Sequence, residues 1–265
     1  LGMDGQNRVT DTLGDAQFLG LPAGDYSVVL SAKGFTEQVR VVSLGDIDTL
    51  TLTMHLLSQS APQQFDATKK SVMSSSLLQL TFQPNSLVDL KGQLYKGKAT
   101  ISLTSFSAKE EQLKSYPAPL SGKTLSNEAK SLETFGAFSM IVTDSSGQLL
   151  RIAEGKTVEA ALQLPSQSSL KDGETVPMWA LDVVQGVWLE TKALSTVMTR
   201  DGHQFLVTQL PHFSTWNFAR KDDSGCLTIK FLGNSTNLYS VEVIGAGYQR
   251  KQRLKKADRE MKVIR

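Results

Sequence analysis

Apolar and polar positions alternate with a period of two along most of the chain, in short stretches cut by turn residues. Residues 26–32 (YSVVLSA) read as a β-branched strand closed by Lys33-Gly34-Phe35. Residues 38–44 (QVRVVSL) and 49–56 (TLTLTMHL) keep one side apolar, the mark of strands with one face inward. Residues 9–18 read as a strand pair turning at Gly14-Asp15. The run Gly20-Leu21-Pro22-Ala23-Gly24 then supplies a second tight turn.

The same pattern resumes after a polar stretch. Strands are expected within 78–88, 92–104, 135–144, 158–165, 176–182, 186–190, 203–208 and 210–217. Ser145-Ser146-Gly147 and 183–185 make the turns between neighbours. The one helical pattern is short, within 108–114. Strands at this spacing predict an all-β protein of tandem β-sandwich modules with Greek-key-like antiparallel sheets. Length supports the plural, because 265 residues exceed one ordinary sandwich. The expected division is a partial sandwich over 1–57, a linker over 58–76 (SQSAPQQFDATKKSVMSSS), a larger sandwich over 77–220, and the start of a truncated module over 221–265.

Two resemblances sharpen this division. The run D-x-x-G-x-A-x-F-x-x-L-P-A-G-D-Y-x-V-x-x-x-A-x-G-F, from Asp11 to Phe35, resembles the carboxypeptidase regulatory-like (transthyretin-like) module. That family implies a seven-stranded sandwich used as a spacer in secreted and surface proteins, here short of its first strand or two. Over 77–220, the elements L-T-F-x-P-x-x-L, Y-x-G-x-A-T-I-S-L-T, F-G-A-F-S-M-I-V-T-D-S-S-G-Q, V-P-M-W-A-L-D with G-V-W-L-E, and H-F-S-T-W-N occur in order. They resemble the β-domain of cartilage intermediate layer protein and its bacterial surface relatives, and more distantly ZU-type domains. Together the resemblances imply a non-enzymatic structural or adhesive module, placed extracellularly, on an outer surface or in a periplasm. Its partner would be a protein or a glycan. The opening at Leu1-Gly2 rather than Met reads as a trimmed boundary.

Composition changes the picture little. Apolar residues are 40% and charged residues 20%, enough for a packed core. No window approaches the roughly 18 apolar residues of a membrane helix. The lone Cys226 excludes an intramolecular disulfide framework and reads as a buried strand residue. Residues 249–265 hold eight Lys/Arg against two acids, leaving −4 before them in a chain of net +2. Without an aromatic platform this tail reads as a solvated strand pair or helix face, and no nucleic-acid partner is expected.

Candidate chemistry is sparse. His55, His203 and His212 show no metal-ligand spacing, so no metal and no cofactor are expected. Asp144-Ser145-Ser146-Gly147 and Asp222-Asp223-Ser224-Gly225 are too thin for calcium loops and read as turns. Trp179, Trp188 and Trp216 could present a sugar-stacking face, although their apolar strand neighbours point to the core. One motif carries conceivable catalysis: His212-Phe213-Ser214, at the position where some ZU-type relatives cut their own backbone. There Ser214 Oγ would attack the Phe213 carbonyl with His212 as general base, and water would hydrolyse the resulting ester. Structural roles are the alternative, with Phe213 and Trp216 in the core and His212 and Ser214 at a strand edge.

Overall fold

A computed structural model describes residues 6–45 and 49–222 throughout, and beyond them the backbone of four strands within 226–264. The protein is all-β. The strands β1 (Gly24–Leu30) and β2 (Gln38–Leu44) form an antiparallel hairpin. Next come β3 (Gln63–Asp66), β4 (Ser71–Ser75), β5 (Leu78–Phe82), β6 (Leu87–Val88) and β7 (Lys98–Ser107). A 3-10 turn, Glu110–Ser115, stands where the short helix was expected and leads to β8 (Ser121–Lys123). The long strand β9 (Ala129–Thr143) follows, then β10 (Arg151–Ile152) and β11 (Val158–Gln163). The described side chains end with β12 (Thr175–Asp182), β13 (Val187–Arg200), β14 (His203–Leu210) and β15 (Thr215–Asp222).

Most of these strands form one sheet in the order β3-β7-β9-β15-β12-β13-β14-β11-β5-β4. β15 lies between β9 and β12, and β11 between β14 and β5, crossovers of the Greek-key kind. The sheet curls until its two end strands meet. No backbone ladder joins β3 to β4; the Gln63 side chain does, donating to Ser74 O at 2.7 Å and accepting from Ser74 N at 3.4 Å. Both end strands fall inside the stretch expected to be a linker, whose polar composition hid them. Conversely, 9–18 and 49–56 were expected as strands and are not. Asp11 folds the first into an isolated turn, and the second meets the hairpin through His55, bonded twice by the Gln38 side chain, just ahead of a bridge from Phe35 to Ser58.

Inside the curled sheet lies a core in which alternate residues point inward, as in Leu78, Leu80 and Phe82 of β5 or Ala99, Ile101 and Leu103 of β7. Phe65 and Phe82 pack 4.5 Å apart across the joined ends. A second core gathers Val39, Phe106, Tyr116, Leu132, Trp179, Trp188 and Ala219 on the other face of the same strands. Its walls are a smaller ring: β9, β15, β12 and β13 are sheet neighbours, and β8 pairs in parallel with β13 and antiparallel with β9, closing the circle.

The long strand β9 lines both cores, and its alternation must reverse between them. Leu132 belongs to the ring core and Phe138 to the large one, although their even spacing would put them on one face. The reversal occurs at Phe135, an extra residue where Phe218 pairs with Gly136 but Ala219 with Thr134. Gly136 takes φ +150°, which a side chain rarely adopts, and a Cβ there would lie 3.0 Å from Leu162 Cδ2.

Surface turns repeat one device. Asp11, Asp89 and Asp144 each accept backbone N–H bonds at i+2 and i+4 through Oδ1, and each is followed at i+3 by a glycine of positive φ. Asp144 is thus a turn former, its carboxyl held below the usual range by the Ser146 hydroxyl and then by backbone donors. Of the similar run 222–225, Asp222 closes β15 and 223–225 lie outside the described residues. Beyond it, β16 (Cys226–Lys230) pairs with β19 (Glu260–Ile264), and β17 (Tyr239–Gly245) with β18 (Tyr248–Leu254). The burial expected for the Cys226 side chain falls outside the described residues.

Gly122 of β8 makes the ring core testable. A Cβ there would stand 2.7 Å from Trp179 Cζ3 and 2.9 Å from Trp188 O. Gly122→Ala is expected to lower unfolding stability by about 1–3 kcal/mol, as overpacking does, read from urea denaturation followed by tryptophan fluorescence.

Candidate functional site

His212, Phe213 and Ser214 occupy the turn between β14 and β15, next to one another but pointing to different neighbours. The His212 ring lies on Trp216, centroids 4.7 Å apart at 32°, and the Trp216 indole N–H donates to His212 O at 3.3 Å. Phe213 packs toward Phe82 at 6.2 Å, against the large core. The Ser214 hydroxyl donates to Thr215 O at 3.5 Å, and His212 Nδ1 stands 3.4 Å from Phe213 O. No hydrogen bond joins His212 to Ser214 among the described residues. General-base activation needs that contact at about 2.6–3.2 Å, directly or through one water. Positive φ outside glycine occurs among the described residues at Asn85, Asn127 and Asp201, away from this turn.

The three tryptophans are fully enclosed, each 0% exposed. Trp216 belongs to the large core, and Trp179 and Trp188 to the ring core. A sugar-stacking face made of them is therefore ruled out by burial. The Trp179 indole N–H donates to Ala219 O at 2.8 Å. Among the described residues, no group of three or more His, Cys, Asp or Glu could hold a metal, and no helix is long and apolar enough to cross a membrane.

The polar chemistry of the protein is concentrated instead where the hairpin meets the ring. Gln38 and Arg40 lie on the half-buried face of the hairpin that also carries Val28, Leu30 and Val42. The Gln38 amide donates to Lys114 O and Tyr116 O at 2.9 Å and to His55 O at 3.2 Å, while its oxygen accepts from His55 N. Arg40 donates to Val39 O, Lys114 O and Tyr116 O. Val39 N donates to Pro117 O at 2.7 Å, and its side chain enters the ring core. On the other side, Ser27 Oγ donates to Val184 O in the β12–β13 turn. Sequence reading passed over Gln38 and Arg40; the available signal was two polar residues in the inward phase of an alternating strand.

Below this clamp, Tyr116 is 1% exposed. Its hydroxyl bonds Phe106 O and Thr134 Oγ1, and Thr134 in turn donates to Asn217 Oδ1 at 2.6 Å. Burial pushes the Tyr116 hydroxyl up to about 12, with the Thr134 bond opposing it.

Fold and site together define an all-β module whose tryptophans are packed in its two cores and whose Gln38 and Arg40 dock the hairpin. Residues 76–219, more than half the chain, match the family described as FAM171A1/A2/B, N-terminal, and the chain belongs to it. Membership is consistent with an extracellular region of a membrane-associated protein. No curated protein and no solved structure matches the chain.

Two outcomes follow from these contacts. The purified chain is expected to run intact on a denaturing gel, with Ser214→Ala indistinguishable from it; fragments divided between Phe213 and Ser214 and absent from the variant would show self-cleavage. For Tyr116, the unfolded chain loses its proton near pH 10 and the folded chain near 12. The stabilisation is complete below pH 10 and lost as pH rises to 12, about 2–3 kcal/mol in all. Comparing Tyr116→Phe with the parent by denaturant unfolding across that range isolates this contribution.

Proposed function

We propose that the chain is a non-enzymatic, extracytoplasmic module of a membrane-associated protein, a stiff spacer whose outer surface engages a protein or a glycan. The observation that carries this reading is the clamp. Gln38, Arg40 and Val39 fix the hairpin to the ring through backbone oxygens of 114–117 and through buried apolar contact. Free hairpins are marginal in water, and this one gains its stability from the larger unit, so the two move as one body. Family membership supports the placement outside the membrane. The resemblances to transthyretin-like spacers over Asp11 to Phe35, and to ZU-type and cartilage-intermediate-layer β-domains over 77–220, support the structural role.

Two measurements test the reading. Pulled from its ends, the chain is expected to lose the hairpin and the ring in one force event, and Gln38→Ala with Arg40→Ala to divide it into two. Beads coated with the purified chain should adhere to intact cells above the level of albumin-coated beads. Binding equal to albumin, with a hairpin that detaches first in the parent chain, would remove the proposal.

A further inference from the structure

Where the sheet ends meet, the tip of the β4–β5 hairpin opens a cavity of about 270 Å³. Ser74, Ser75 and Ser76 line it with Gln79, Gln163 and Phe205, and Leu77 completes an apolar patch. Register explains how residues so distant in sequence converge. Ser74 faces Gln79 across β4 and β5, Leu162 faces Leu78 across β11 and β5, and Gln163 faces Phe205 across β11 and β14. The floor is fixed: Ser75 and Ser76 both bond Ser105 Oγ of β7, Gln163 N donates to Leu77 O, and Gln63 holds the Ser74 backbone.

The side-chain amides of Gln79 and Gln163 make no hydrogen bond to the rest of the protein among the described residues. Each offers two donors and an acceptor. The lining carries no charge, so an ionic ligand would lose its hydration with nothing to replace it. A purely apolar ligand would strand the two amides and the Ser74 hydroxyl. A ligand with hydroxyls around its edge and C–H bonds on one face meets both halves of the lining: amides and serines at the edge, Phe205 and Leu77 beneath the face. We infer that this cavity binds a neutral saccharide, one ring or the end of a chain, the volume being slightly below that of sites for drug-sized molecules. The inference deepens the surface-module reading, on whose glycan arm it rests.

Saturation-transfer NMR on the full chain with methyl glycosides of glucose, galactose, mannose and N-acetylglucosamine tests it. Transfer to the ring protons of at least one glycoside is expected, competed by the free sugar. Gln79→Ala and Gln163→Ala should each weaken binding by about threefold to tenfold, the effect of one or two neutral hydrogen bonds. Ser76→Trp, which sets an indole in the cavity, should abolish it while the far-UV circular dichroism of the folded chain is retained. No transfer from any of the four at millimolar sugar, or transfer that survives Ser76→Trp, would overturn the assignment. Bead adhesion in the same variant separates the two ideas: adhesion kept with no sugar signal in the parent removes this site and leaves the module reading standing.

Discussion

A β-strand presents alternate residues to opposite sides, and five strands of this protein line two cores that lie on opposite faces of one sheet. The arrangement works because the strands are longer than either core. In β15, Trp216 and Phe218 face the large core while Ala219 faces the ring; in β12, Met178 and Trp179 divide in the same way. In β9 the alternation itself reverses, at Phe135, and Leu132 joins Trp179 and Trp188 in the ring core. The hairpin docks on that second core, which Val39 enters.

The hairpin adds a different kind of joint. Its apolar contribution to the ring is one buried valine, and its orientation is set by hydrogen bonds to the carbonyls of a strandless segment, 114–117. Those carbonyls would otherwise face a partly enclosed space without donors, and leaving them unpaired would cost more than each bond contributes. Partial burial draws the Arg40 guanidinium below its ordinary pKa, yet it remains charged and spans three carbonyls. Docking is thereby specific in direction as well as favourable.

Much of this architecture was legible in the sequence. Alternation placed β5, β11, β12 and β14 because each buries apolar residues at every second position, placed the half-buried hairpin β1 and β2, and caught only the start of β13, within 186–190. It failed for β3 and β4, QQFD and SVMSS, since end strands bury few side chains and their ladder bonds leave no compositional mark. It also failed for 49–56, whose alternation is regular but whose backbone meets Gln38 and Ser58-Phe35 rather than a neighbouring ladder. The tryptophans read as core residues, yet no sequence rule assigns Trp216 to one core and Trp188 to the other. His212-Phe213-Ser214 was visible as a motif; its side-chain directions, outward onto Trp216 and inward to Phe82, were not. The cavity was hidden altogether, because three serines and two glutamines on three strands and a turn have no spacing in common.

The joint between β3 and β4 has one more consequence. Each of these strands is held by its inner neighbour, β7 or β5, and the residues connecting them, Thr68, Lys69 and Lys70, lie exposed. Cutting the chain there would create two new termini already seated in the sheet, and the break would sever no ladder. The protein thus carries, at the one place where its sheet is closed by a side chain, a natural point for circular permutation or for the acceptance of an inserted domain.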